Sequence, residues 1–140
     1  MSRSSRYTIE TKKRVHFSDF LHNFDKNPVT GYLAKAVDQQ AIEISMYNLL
    51  MTTGGDWPFE SGIGSKIQAS LFDFNDPRMR AEIESSVAET ITNHEPRVEL
   101  IKTIVNAMDN PNFVQISVVY SILNIPDESF QFDVVVSRVR

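Results

Sequence analysis

An acid and a base held on either side of a proline, Glu95-Pro96-Arg97, form the most distinctive chemical group in the sequence. Proline fixes its own φ at about −65° and pushes the residue before it out of the helical region, so both charged side chains leave a stiff corner in defined directions. Such a corner suits recognition. Arg97 can pair bidentately with a carboxylate on a partner, or with a neighbouring acid of its own chain that then orders the corner.

Groups with catalytic potential are sparse by comparison. His16, His22 and His94 do not stand at the i, i+3 or i, i+4 spacing that turns two imidazoles toward one metal. The absence of cysteine removes thiolate nucleophiles, disulfides and Cys-based zinc sites together. The run "SGIGSK", with Gly62, Gly64, Ser65 and Lys66, places glycines ahead of a short helical segment, but it lacks the full phosphate-loop order and follows no predicted strand. A tight loop that seats the next helix is the plainer reading. Acid pairs occur at Asp73 and Asp76, Glu82 and Glu84, and Glu95 and Glu99. Glycoside hydrolysis needs two carboxylates facing each other across a cleft, an arrangement that sequence proximity does not supply. No Gly-x-Ser-x-Gly elbow is present. The sequence therefore predicts no catalytic residue, no metal and no cofactor. A wall-cleaving enzyme using acids such as Glu95 and Glu99 remains the alternative.

The other feature with binding potential is the last apolar segment, Phe130 to Val139. As the final element of a small sheet it is expected to be an edge, with N–H and C=O groups open to strand addition. Phe130, Phe132, Val134, Val135, Val136 and Val139 would form that strand, with few charges to protect it.

The elements that must position these groups follow from periodicity. The segment from Val15 to Pro28 spaces Phe17, Phe20 and Phe24 among polar residues and reads as an irregular arm anchored by its aromatics. Apolar residues at Leu33, Val37, Ala41, Ile44, Tyr47, Leu50 and Met51 predict an amphipathic helix that stops before Gly54-Gly55. The loop "GGDWPFESGIGSK" is expected to rest its aromatics on the core, and Ile67, Leu71 and Phe72 mark a short helix after it. A longer helix opens with Asp76 as N-cap and Pro77 at its first position, buries Met79, Ile83, Val87 and Ile91, and ends at Pro96. The period then changes from 3.6 to 2, predicting three strands with turns at Asp109–Asn112 and Asn124–Glu128. The fold class is α+β: about three helices followed by a three-stranded antiparallel sheet packed on them.

Composition agrees with one domain. The chain has 140 residues, 41% of them hydrophobic, enough to bury a core. Charge is uneven, with a net +4 over residues 1–14 and −8 over the rest. This predicts a basic flexible arm (1–14) on a single acidic domain (15–140), a balance unlike that of a nucleic-acid-binding domain. No apolar run approaches the roughly 18 to 20 residues of a membrane span, and no apolar stretch follows the N-terminal bases, so a soluble chain without a signal peptide is expected.

The ordered set "NLLMTTGGD", "PFESGIGSKIQASLF" and Glu95-Pro96-Arg97 resembles the baseplate wedge family of contractile phage tails, also called sheath initiators and historically tail-lysozyme-like proteins. The resemblance runs from about Phe17 to the C-terminus. It implies a structural virion protein of the tail baseplate, assembled in the host cytoplasm, or the equivalent part of another contractile injection system such as type VI secretion. It further implies that Glu95, Pro96 and Arg97 contact the helical core bundle of wedge subunits, and that residues around Phe130 to Val139 join strands of tail sheath subunits. Tail tube or hub proteins are further neighbours; no membrane or nucleic acid is expected among the partners. Trp57 departs from the pattern, standing before Pro58-Phe59 where the family more often has a base. The lysozyme label is a poor guide to mechanism, since no carboxylate pair in this chain independently supports hydrolysis.

Overall fold

The computed structural model describes residues 17–137 apart from 22, 72–76 and 111. Expectations for the basic arm, His16, His22, the Asp76 cap and Val139 fall outside the described residues. In chain order the elements are β1 (Ser18–Phe20), β2 (Lys35–Val37), α1 (Gln39–Met51), α2 (Ile67–Ser70), α3 (Pro77–His94), β3 (Val98–Ala107), β4 (Phe113–Ile122) and β5 (Ile125–Ser137). The α+β class is as expected, with the antiparallel order β3-β4-β5; the short β1-β2 ladder is an addition.

The core lies between the helices and one face of the sheet. Alternate residues of β4, namely Val114, Ile116, Val118, Tyr120 and Ile122, point into it, joined by Val134 and Val136 of β5. From the helices come Ile42, Met46 and Leu50 of α1 and Ile83, Val87 and Ile91 of α3, each set repeating at a spacing of four. Each such side chain contributes about 1.5–3 kcal/mol on leaving water.

Three expectations need correction. The helical period from Leu33 onward does not extend the helix that far: residues 35–37 pair with β1, and α1 starts at Gln39. The cause is a reciprocal tie. The Asp38 N–H donates to the Phe17 carbonyl at 2.7 Å and the Phe17 N–H donates to Asp38 Oδ1 at 3.1 Å, while Asp38 takes a φ of 49° that no helix accommodates. The segment around Phe20 is therefore partly a strand rather than wholly irregular. Within α1 the main core takes Ile42 and Met46, so the expected stripe through Ile44 and Tyr47 lies to one side; Tyr47 is 38% exposed.

The second correction concerns the β4–β5 turn, which is tighter than the proline suggests. Strand pairing resumes at Ile125, opposite Ile122, then shifts so that Ser121 faces Ser129. Residues 126–128 form the extra length on β5, and an edge strand tolerates a proline there because no ladder donor is lost. The third concerns the loop 54–64, whose aromatics do not rest on the core: Trp57 is 57% and Phe59 99% exposed.

Candidate interaction surfaces

The corner at Glu95 is a junction of five elements. Arg97 donates from Nε to Glu95 Oε1 at 2.5 Å and from Nη2 to Glu95 Oε2 at 2.6 Å, the two-pronged geometry that a planar guanidinium favours. Glu95 is 2% exposed and Arg97 26%, while Pro96 between them faces solvent. The Arg97 guanidinium carbon lies 5.6 Å from the centroid of the Phe17 ring, and the Arg97 carbonyl accepts the Leu123 N–H at 3.1 Å. This pair thus joins the end of α3, the start of β3, the segment leading into β1 and the β4–β5 turn. Ser45 brings in α1 by a hydrogen bond to Glu95.

Electrostatics follow from this geometry. Burial alone would lift the Glu95 carboxyl, but hydrogen bonds from Arg97 and Ser45 and the Arg97 charge outweigh it and hold the pKa below the ordinary glutamate value. The bonds to Glu95 raise Arg97 against the opposing effect of burial, with further help from the charges of Glu95 and Asp19. A group so held is an anion, whereas the proton donor of a glycosidase needs a raised pKa. Glu95 is unsuited to that role, and Glu99 stands exposed on β3.

The glycine run 62–66 serves the loop. The Ser65 N–H donates to the Thr52 carbonyl at 2.8 Å, Ser65 Oγ to the Leu50 carbonyl at 2.7 Å, and the Lys66 N–H to Ser86 Oγ at 3.4 Å. The Ser65 and Lys66 N–H groups are thereby engaged within the fold rather than gathered toward an anion. Gly64 takes a φ of 126° and approaches the backbone of Thr52 and Thr53 too closely for any Cβ. The loop base is stapled to the end of α1, as the tight-loop reading expects.

The two edges of the main sheet differ. On β3, the outward N–H of Val105 donates to Glu84 Oε1 of α3 at 3.1 Å, so the helix engages that edge at this residue. This contact fixes the direction of every backbone group in the regular part of the sheet. Val105 pairs with Ile116, and Ile116 with Val134. Since the Val105 groups point away from β4, those of Ile116 point toward β5 and those of Val134 point back. The backbone groups of Gln131, Asp133, Val135 and Ser137 therefore face outward along β5. Among the described residues, β5 has no strand beyond it. Replacing Glu84 by Ala should cost about 1.5 kcal/mol and speed exchange of the Val105 amide proton; an unchanged exchange rate would show that the β3 edge is closed by other means.

Phe130, Phe132, Val134 and Val136 of β5 face the helices, with the Phe130 ring 5.9 Å from Tyr120; Val135, 49% exposed, lies on the opposite face. Sequence reasoning grouped these valines as one apolar surface, whereas strand alternation divides them between two faces. It also missed an open groove of about 690 Å³ between α1 and β5, lined by Gln40, Glu43, Ile44, Tyr47 and Phe132. The signal for it was the apolar α1 stripe, which has more residues than the core takes up. The corner and the β5 edge are separate surfaces. Among the described residues no cluster of His, Asp or Glu could hold a metal ion, and no helix is long and apolar enough to cross a membrane.

Comparison with known proteins places this arrangement. Residues 36–127 match the family described as Baseplate wedge protein gp25, a span that contains the corner and stops at the start of β5. The chain is 20% identical over 96 residues to baseplate wedge protein gp25 of Enterobacteria phage T4, covering 69% of this chain and 73% of that protein. A crystal structure of a Geobacter sulfurreducens protein described as a tail lysozyme superposes with a TM-score of 0.64 at 20% identity, over 71% of this chain and 89% of that one. A chain of the anti-feeding prophage baseplate gives 0.60 at 18% identity, over 89% and 88%. A chain of the type VI secretion baseplate complex gives 0.62 at 10% identity, over 71% and 93%. The chain belongs to the gp25 baseplate wedge family, the structural baseplate components of contractile tail systems.

Proposed function

We propose that this chain links the inner wedge core bundle of a contractile-tail baseplate to the first ring of tail sheath, and that it starts sheath assembly by accepting strands along β5. It acts by binding, without catalysis. Assembly takes place in the host cytoplasm, and the finished machine is a phage tail or a related injection apparatus. The observation that carries the reading is the difference between the sheet edges: the β3 edge is bonded to Glu84, and the β5 edge presents its groups outward. An extended segment of a sheath subunit finds a ready template there.

The wedge contact rests on Glu95, Pro96 and Arg97. Glu95 acts by positioning: it fixes the guanidinium, so that Arg97 and the exposed ring of Pro96 meet a partner as a rigid unit whose side-chain entropy is already spent. Tail tube or hub proteins are further neighbours in the same assembly.

Deleting β5 is a poor test because it strips Val134 and Val136 from the core. Val135→Pro is cleaner: it removes an outward N–H while leaving the β4 ladder its donors. In a co-purification with wedge and sheath subunits, this variant should keep wedge and lose sheath nucleation. Normal sheath polymerisation on Val135→Pro would refute strand addition.

A further inference from the structure

The groove beside β5 has a shape that strand addition would use. Phe132 forms its β5 wall, and Gln40, Glu43, Ile44 and Tyr47, one stripe at helical spacing, form its α1 wall. A strand laid against β5 continues the sheet beneath this stripe, so alternate side chains of that strand enter the groove. Glu43 accepts hydrogen bonds from Gln39 at 2.8 Å and from the Tyr120 hydroxyl at 3.3 Å, which leaves a fixed anion among apolar walls.

We infer that the α1 groove reads the side chains of the added strand, selecting an extended sheath segment whose groove-facing positions are apolar and include one Lys or Arg directed at Glu43. The inference rests on the strand-addition reading. The backbone edge recognises any extended chain, because every residue offers the same N–H and C=O. Discrimination must come from side chains, and a strand on β5 has two faces: one lies over exposed polar residues such as Gln131, and the other meets Ile44, Tyr47 and Phe132. Only the second has walls. Charge fixes the register, since a one-residue slip turns the whole apolar set out of the groove and takes the cation away from Glu43.

The test places a photo-crosslinking side chain at Tyr47 or, in a separate sample, at Val135, in the full chain assembled with wedge and sheath subunits. Crosslinks from both positions to one short extended stretch of the sheath protein are the expected result. Capture from Val135 alone would overturn the groove and leave strand addition standing. Capture from neither would overturn both. Capture from Tyr47 of residues 1–16 of the same chain, or of a subunit other than sheath, would show a different occupant and overturn the groove. A second variant gives the energetic counterpart: Tyr47→Asp, at a half-exposed position, should lower sheath retention about tenfold while wedge retention holds, both read where circular dichroism shows the variant folded. Unchanged sheath retention would refute the inference.

Discussion

Arg97→Ala should unfold this protein more readily than almost any other change at a residue in contact with water, by about 3 kcal/mol. Breaking a buried ion pair by removing one partner typically costs about 3–5 kcal/mol, because the remaining charge is stranded. The lower end applies because Arg97 itself reaches water. Glu95, 2% exposed, would lose the guanidinium and keep the hydrogen bonds from Ser45 and from the backbone N–H of residue 97. Glu95→Gln should cost less, since the freed guanidinium can turn toward solvent. Arg97→Lys should fall between, keeping the charge but losing the two-pronged bond. Urea unfolding checks the order, and a silent Arg97→Ala would show that the junction is held by its apolar contacts alone.

The same pair sets an acid limit. The folded-state pKa of Glu95 lies below its unfolded value, so its contribution is present above the ordinary glutamate range and is lost as pH falls through the folded value. Wild-type stability should therefore decline on the acid side of that range, and Glu95→Gln should flatten the decline. Loss of wedge binding in Arg97→Ala has to be separated from this instability. A buried interfacial charge costs about 2–5 kcal/mol of affinity when truncated, so binding is measured where circular dichroism shows the variant folded.

Gly64→Ala is the other large effect. An added Cβ would lie 2.7 Å from the Thr53 carbonyl carbon and 2.8 Å from both the Gly54 nitrogen and the Thr52 oxygen, all backbone atoms, at a φ of 126°. Strain of about 1–3 kcal/mol from the dihedral adds to a similar cost of overpacking. The melting temperature should drop by roughly 10–20 °C for a chain of this size. Gly62→Ala, where nothing lies within 4 Å, is the control and should be near neutral. Equal melting temperatures for the two variants would mean that the loop base yields freely.

What the sequence revealed depended on whether local pattern and tertiary contact agreed. The shift of period after Pro96 located all three strands because alternation is a local property, and Pro77 marked the start of α3 for the same reason. Leu33 and Val37 fit the helical period equally well, yet the ladder to β1 and the Phe17–Asp38 bonds claimed that stretch from 21 residues away. The Trp57 and Phe59 side chains were expected on the core because apolar residues usually are, and only the stapled loop base shows that they are held outward. The Glu95-Pro96-Arg97 corner was legible as a stiff pair of charges. Its burial was not, since Ser45 and Phe17 complete it from distant parts of the chain.

A sheet with one side tied to its own helix has a sense of direction. Its two flanks are not interchangeable: a glutamate reaches across from α3 to one outer strand, and a segment that extends the sheet as proposed above would meet the other.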